Sequence, residues 1–106
     1  MPTYLALHTH ETEGARTIRQ LRERLAGAKQ LARSMDCEVD YYLVNGQYDS
    51  AVIVDAPVEQ TAKQLELAVS GTGTVSTEFQ RAFHDTELDE LIAGIPDVEA
   101  EVGVEA

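Results

Sequence analysis

Residues 42–56, YLVNGQYDSAVIVDA, decide the fold of this chain. An apolar run ends at Asn45 and Gly46, and a second apolar run follows four residues later. Asn-Gly between two such runs is a strong hairpin signal, because both residue types tolerate the positive φ of a tight turn. The stretch therefore predicts two antiparallel strands, over residues 37–44 and 50–55, joined at an Asn-Gly turn.

The spacing of apolar residues predicts the elements on either side of this hairpin. Alternation every two residues is typical of strands, and recurrence every three or four residues is typical of helices. The resulting order is βαββαβ with a short helix at the end. The predicted strands are 3–9, 37–44, 50–55 and 72–83, and the predicted helices are 12–36, one that begins at Pro57 and stops at Gly71, and one that ends at 93.

This order predicts an α+β fold of the ferredoxin-like type, in which two split βαβ units form one antiparallel four-stranded sheet. Two helices are expected to cover one face of the sheet. Leu5 and Leu7 are expected to face the helices, and Tyr4, Ala6 and His8 the other side. An apolar back face would require a second copy of the chain to cover it.

Two further expectations concern the interior of the predicted elements. The continuous run at 51–54 is typical of a strand that is buried on both faces. Gly27 lies inside the long helix, where glycine costs roughly 1 kcal/mol relative to alanine. A close packing contact at Gly27 would account for that cost.

The length and the net charge of the chain limit the classes of protein to which it can belong. The 106 residues suit one domain, predicted over residues 1–95, with an acidic tail over 96–106. The net charge of −11, from 19 acidic and 8 basic residues, is typical of proteins from a salt-rich cytoplasm and predicts a halophilic source. Such a surface repels nucleic acid phosphates and anionic lipid, so neither is an expected partner.

Other features of composition agree with a cytoplasmic protein. No apolar run reaches the ~20 residues of a membrane helix, and the first residues lack the basic start of a signal peptide. Cys37 is the single cysteine, which excludes an internal disulfide and a cysteine metal cluster. The basic residues of the long helix are expected to pair with carboxylates rather than with RNA.

A resemblance emerges from residues 46–57, GQYDSAVIVDAP. This stretch resembles the GYD domain family of small bacterial and archaeal proteins, whose pattern is Gly, any residue, Tyr and Asp, then an apolar strand ending in acidic-Ala-Pro. Supporting matches cover residues 1–93. They are the opening MPTY at 1–4, the helix opening TEG at 12–14, and RAF at 81–83 after VST at 75–77.

The resemblance implies a ferredoxin-like domain of the dimeric α/β-barrel kind, in a family without an established biochemical role. We expect a homodimer or higher homo-oligomer that binds a small organic ligand or serves as an accessory module, with no cofactor. The alternative is a small cofactor-independent enzyme, monooxygenase-like or isomerase-like, with a cleft between sheet and helices. Whether the chain is an enzyme stays open, and the binding role is favoured.

Several polar residues could form a ligand site. The candidates are Tyr4, His8, Tyr42, Gly46, Tyr48, Asp49 and Arg81. For the Gly-x-Tyr-Asp residues the alternative is turn chemistry, with a pair between Asp49 and Arg81. Several of the four tyrosines could line a cavity, but core and interface packing is the favoured assignment. Cys37 is assigned to packing.

A histidine pair offers a weaker candidate. His8 and His10 are spaced by two on a strand, so they share a face. With Asp55 as a third ligand they could bind a metal ion. Nothing in the sequence marks a third ligand, so we expect partly exposed histidines at a strand end and no metal. His8 is also available as a general base.

Overall fold

The computed structural model describes residues 1–98 and confirms the predicted fold class. In this part of the chain, four strands form one antiparallel sheet in the order β2-β3-β1-β4. No helix among these residues combines the length and the apolar character needed to cross a membrane. The strands are β1 Thr3–His10, β2 Glu38–Leu43, β3 Ser50–Asp55 and β4 Val75–Ala82, and the helices are α1 Thr12–Arg16, α2 Leu21–Ser34, α3 Glu59–Ser70 and α4 Leu88–Ala93.

Side chains on the helix-facing side of the sheet form cross-strand rows, and three of these rows position the core and the site. Antiparallel partners opposite each other have Cβ atoms about 4.5–5.5 Å apart, so each row is a line of neighbouring side chains. The polar row contains Ser50, His8 and Thr77, from β3, β1 and β4. The middle row contains Tyr41, Val52, Ala6 and Phe79, and the far row contains Val39, Val54, Tyr4 and Arg81.

The core lies between the middle and far rows and the helices. Tyr4 and Ala6 are buried there, and the Tyr4 ring stacks on Phe79 with centroids 5.0 Å apart. The expectation that Leu5 and Leu7 face the helices is therefore wrong. Alternation identifies the two faces of a strand but not which one the helices cover, and the ring of Tyr4 fills more space under them than a leucine does.

The opposite face of the sheet is open. Leu5, Leu7 and Ala51 are half-buried at its centre, and Ile53 is exposed beside them. Within one protomer β3 is thus buried on one face, which corrects the expectation for residues 51–54. The same side of β2 carries Glu38, Asp40 and Tyr42, so the apolar centre has an acidic margin.

The β2–β3 connection is wider than the predicted Asn-Gly turn. The Val44 N–H donates to the Asp49 carbonyl at 3.0 Å, which leaves four residues inside the loop. Among residues 1–98 a positive φ occurs at Asp36 and Gly73, and not at Gly46. Four-residue hairpin loops are commonly built around a type I turn, whose φ angles are negative. The expected role of Gly46 is therefore wrong.

The predicted helix over 12–36 is divided. Helix α1 ends at Arg16, a 3₁₀ turn covers Ile18–Gln20, and α2 begins at Leu21. Gly14 lies inside α1, where a Cβ would be 2.1 Å from the Thr74 carbonyl oxygen, so this helix packs directly against the loop before β4. The loop before β4 therefore holds α1 in place, and α2 takes its own direction over the sheet.

Helix α2 ends in a Schellman motif that leads directly into β2. The Cys37 N–H donates to the Ala32 carbonyl at 2.8 Å, and the Asp36 N–H donates to the Arg33 carbonyl at 3.1 Å. Asp36 has the φ of 58° that this motif requires after the helix. Nothing lies within 4 Å of a Cβ built on Gly27, so the close contact expected there is absent.

Smaller differences occur at helix ends. Glu11, not Thr12, precedes α1, and α3 begins two residues after Pro57 and ends before Gly71 as expected. The large apolar residues of α4 are exposed: Ile92 is 61% exposed, and Leu88 and Leu91 are exposed as well. Most of the predicted tail, over residues 96–106, lies outside the described residues.

Candidate functional site

A cavity of about 120 Å³ lies between the sheet and the helices α2 and α3. Its walls are mainly apolar, because the middle row of the sheet faces aliphatic side chains of both helices across it. Leu21, Leu25 and Ala28 contribute from α2, and Leu65 and Val69 contribute from α3. The alternation of the strands and the three-to-four spacing of the helices place these residues on the inner side.

The polar row forms one end of this cavity. Ser50 is opposite His8 in the β1–β3 pair, and His8 is opposite Thr77 in the β1–β4 pair. All three side chains line the cavity, as does His10, two residues further along β1. The cavity therefore has a polar end and an apolar body, which is the usual composition of a small-molecule site.

Two buried hydroxyl groups in the cavity have no hydrogen-bond partner among residues 1–98. They are Ser50 Oγ and Tyr41 Oη. Ser50 is 1% exposed, and the Tyr41 hydroxyl is equally shielded from solvent. A buried hydroxyl without a partner costs about 1–3 kcal/mol, so such groups are uncommon outside functional sites.

His8 is held in its neutral form by its position. Burial lowers the pKa of His8 below its ordinary value, the nearby His10 lowers it further, and Glu66 opposes both effects. Near neutral pH the imidazole is thus a free base that can accept a proton or a hydrogen bond.

The charged groups of the cavity wall are already engaged. Glu66 Oε2 lies 3.2 Å from the Lys63 ammonium nitrogen, as an ion pair without hydrogen-bond geometry. Ser70 Oγ donates to the other Glu66 oxygen at 3.4 Å. Arg24 donates to Thr17 Oγ1 and, at 3.4 Å, to the Gly14 carbonyl. No uncompensated charge of the described residues projects into the cavity from these side chains.

The Gly-x-Tyr-Asp residues lie outside the cavity. Asp49 Oδ2 accepts from the His10 N–H at 2.7 Å, and the Asp49 N–H donates to the His8 carbonyl at 2.9 Å. Asp49 thereby fastens the start of β3 to the end of β1. Tyr48 Oη donates to Glu78 Oε2 at 2.6 Å, which bridges over Leu7 on the open face, and this bond raises the pKa of Tyr48.

Arg81 lies at the other end of the sheet from Asp49. Its guanidinium carbon is 4.2 Å from the centroid of the Phe83 ring, and its Nη2 is 3.3 Å from Glu87 Oε1. The expected Asp49–Arg81 pair is therefore wrong. Strands β3 and β4 both run antiparallel to β1, so the start of β3 lies near the start of β4 and far from Arg81.

The structure thus separates the seven candidate residues. His8 lines the cavity, whereas Tyr4 is part of the core beneath it and Tyr42 is 56% exposed on the open face. Gly46 is in an exposed loop with open space around it. Ligand binding by these residues stays a prediction.

The histidine pair does not meet its proposed third ligand. Asp55 is at the far end of β3, where its carboxylate accepts from Thr3 Oγ1 at 2.5 Å. Within residues 1–98 no three His, Cys, Asp or Glu side chains are grouped so that they could hold a metal ion.

Sequence reasoning did not identify Ser50 as a site residue, and for Tyr41 it favoured packing over a place in a cavity wall. Ser50 is the polar residue directly before the apolar run 51–54 of β3, and this position could have indicated a role for it. The incorrect assignment of the two faces of β1 hid it, because Ser50 is opposite His8 and shares its face. Tyr41 was assigned to packing, which explains its ring but leaves its hydroxyl without a role.

Comparison with known proteins agrees with this architecture. A family model described as the GYD domain matches residues 4–92, which is most of the chain. The match includes all four strands and the helices α1 to α3. No curated protein matches the chain.

Proposed function

Because the chain belongs to the GYD domain family over residues 4–92, we propose that it is a homo-oligomeric module that binds a small organic molecule in the cavity between sheet and helices. The family assigns no reaction to the chain, so the proposal depends on the cavity itself. The observation that carries it is that two residues lining the cavity, Ser50 and Tyr41, have buried hydroxyls without a hydrogen-bond partner among residues 1–98.

The chemistry of the enclosure supports binding over simple packing. Cavities that stay empty are apolar, whereas a cavity with polar groups in its wall holds water or a ligand. Here the body is apolar but one end carries hydroxyls and a neutral imidazole. A ligand that bonded to them would recover the free energy that their burial costs.

The test fills the cavity without altering its polar groups. Ala28 lines the cavity from α2, and Ala26 is exposed on the same helix. Ala28→Leu should abolish binding of one-ring probes such as phenol and toluene, whereas Ala26→Leu should leave it unchanged. The measurement is the shift of backbone amide signals around the cavity during titration. Absence of any shift with every probe in the wild-type protein would refute the binding role.

The open sheet face supports the homo-oligomeric part of the proposal. Its centre is apolar, with Ile53 exposed beside half-buried leucines, and Tyr42 extends that surface along β2. Faces of this kind are usually covered by a second subunit. The exposed apolar residues of α4 offer a second contact surface.

Sedimentation analysis tests this part. We expect a dimer or larger assembly that Ile53→Glu dissociates, because the substitution places a charge at the centre of the face. Val58→Glu is the matched control, since Val58 is also exposed but precedes α3. A wild-type protein that sediments as a single protomer at low and high salt would contradict it.

His8 favours a second candidate, a cofactor-independent enzyme that acts on a carbonyl compound. The neutral imidazole could take a proton from the carbon beside the carbonyl group, while the Ser50 or Tyr41 hydroxyl donates to the carbonyl oxygen. Exchange of the α-protons of cyclohexanone in D₂O measures this step by NMR. If the wild-type protein exchanges these protons no faster than His8→Gln does, the enzyme role is excluded and the binding role remains.

The acidic surface supports a salt-rich cytoplasm as the place of action. The net charge of −11 also argues against nucleic acid or anionic membranes as partners. Titration with RNA at low salt tests the first of these, and we expect no binding.

A further inference from the structure

We propose that the cavity takes an uncharged molecule of about one six-membered ring, apolar over most of its surface and ending in one hydroxyl or carbonyl group. Its polar end lies on the Ser50 and His8 side chains, and its ring lies against the middle row. This inference rests on the proposed binding role and specifies the ligand chemistry.

The rows of the sheet determine the orientation. Ser50 and His8 are directly opposite each other at one end of the cavity. Tyr41 belongs to the next row and is diagonal to Ser50, since its own partner is Val52. Tyr41 thus lines the cavity from the row next to the polar end, and its hydroxyl is buried without a partner among residues 1–98. A molecule with one polar group satisfies this pattern, whereas polar groups at both ends would leave one of them against aliphatic side chains.

The hydrogen-bond inventory selects a hydroxyl or a carbonyl group. Each hydroxyl can donate one bond and accept others, and neutral imidazole can do one of each. A ligand carbonyl could accept from Ser50 Oγ and Tyr41 Oη, and a ligand hydroxyl could donate to the imidazole as well. Purely apolar molecules would leave all three groups unbonded.

The charges around the cavity exclude ionic ligands. Glu66 is paired with Lys63, and Arg24 is bonded to Thr17 and Gly14. A carboxylate or an ammonium group would thus be buried without a compensating charge, which is strongly unfavourable. The net charge of −11 adds a long-range barrier against anions.

The volume of the cavity limits the size of the ligand. A cavity of about 120 Å³ is comparable with the roughly 150 Å³ engineered cavity that binds benzene in another protein. One ring with a single small substituent fills such a space.

The experiment titrates backbone amide signals with phenol and toluene, which are nearly equal in size, and with the slightly larger anion benzoate. We expect phenol and toluene to bind and benzoate to show no binding. Ser50→Ala should weaken the binding of phenol by about tenfold, because one neutral hydrogen bond is lost. The same substitution should leave the affinity for toluene unchanged or raise it. Tyr41→Phe should do the same, and neither variant should melt at a lower temperature, because no protein hydrogen bond is lost.

The outcomes separate this inference from the binding role. If Ser50→Ala and Tyr41→Phe changed the affinities for phenol and toluene equally, or changed neither affinity, the proposed ligand chemistry would be wrong. Binding in the cavity would still stand. Tight binding of benzoate would overturn the uncharged ligand in the same way. If none of the probes bound the wild-type protein, the binding role itself would fail.

Discussion

Gly14 is the glycine of residues 1–98 at which a side chain has the least space. A Cβ would lie 2.1 Å from the Thr74 carbonyl oxygen, which is backbone and cannot rotate away. Gly14→Ala should therefore lower the free energy of unfolding by about 1–3 kcal/mol, the usual cost of overpacking. Urea denaturation measures this difference.

Gly27→Ala is the matched control, because Gly27 is also helical but has open space around its Cβ position. It should raise the free energy of unfolding by about 0.5–1 kcal/mol through helix propensity. Equal effects of the two substitutions would show that the Thr74 contact has no energetic importance.

His8 gives stability a dependence on pH. In the unfolded chain His8 takes up a proton near its ordinary pKa of about 6.5, but burial lowers that pKa in the folded protein. As the pH falls below about 6.5 the unfolded state binds the proton first, so the free energy of unfolding decreases until the folded-state pKa is reached. The groups that surround this imidazole are His10, Glu66 with its partner Lys63, and Arg24.

Unfolding measured from pH 7.5 to 5 should show a smaller loss of stability for His8→Gln than for the wild-type protein. His84→Gln is the comparison for an exposed imidazole, one that pairs with Asp85 and caps the turn before α4. The difference between the wild-type and His8→Gln slopes reports on His8. Identical slopes would mean that its burial has no effect on proton binding.

At the residue scale, the sequence indicated which side chains could have a functional role better than it indicated which face of the sheet they occupy. It selected His8 as a polar residue with a role at the sheet, and this side chain does line the cavity. It could not place Ser50 and Tyr41 beside it, because alternation leaves the choice of covered face undetermined. That choice depends on which side chains fit under the helices, and the stack of Tyr4 on Phe79 settles it in this fold.

Among the elements, the β2–β3 hairpin is held by Asp49 rather than by Gly46. The Asp49 carboxylate accepts from the His10 N–H at 2.7 Å, and Gly46 has no close neighbours and no positive φ. Asp49→Ala should lower the free energy of unfolding by about 1.5–3 kcal/mol, the range for a hydrogen bond to a charged group. Gly46→Val should change it by less than about 0.5 kcal/mol.

Thermal and urea unfolding of the two variants, side by side, tests this ranking. A larger loss for Gly46→Val would restore the tight-turn interpretation that the Asn-Gly pair first indicated. The Asp49 variant should also lose protection of the His10 amide, which is a local readout that a general loss of stability does not mimic.

The helical region shows why element boundaries were harder to predict than element types. The apolar spacing over 12–36 is continuous, so it predicts one helix. The break near Thr17 follows the short helix in which Gly14 packs against the loop before β4, sixty residues away along the chain. Local periodicity carries no information about such a contact. Strand β3 was predicted with its observed bounds, because its apolar run is sharply delimited.

For the whole molecule, the net charge of −11 predicts a stabilising effect of salt. Like charges repel more strongly in the compact state, and added ions screen that repulsion. The melting temperature should rise with KCl, mostly below about 0.5 M, where the screening length falls to a few ångströms.

Sucrose is the comparison for this measurement, because it stabilises proteins by exclusion from their surface and not by screening. Its effect should increase steadily with concentration, whereas that of KCl should be steepest at the lowest concentrations. A melting temperature that does not respond to KCl would remove the argument for adaptation to salt.

The overall fold was the most predictable property of the chain. The order of strands and helices, with a hairpin at its centre, leaves few arrangements that obey short right-handed connections, and the observed sheet order is one of them. The cavity was less predictable, since it depends on how far α2 lies above the middle row and not on the order of elements.

The two ends of α2 are attached very differently. At its C-terminal end Ala32 is 1% exposed and the Schellman motif joins the helix directly to β2. At its N-terminal end Leu21 and Leu25 border empty space, and the 3₁₀ turn separates them from α1. Amide hydrogens near Leu21 should thus exchange with solvent water well before those near Ala32. Local opening of the first turn of α2 would give a guest molecule a route into the cavity while the sheet keeps its shape.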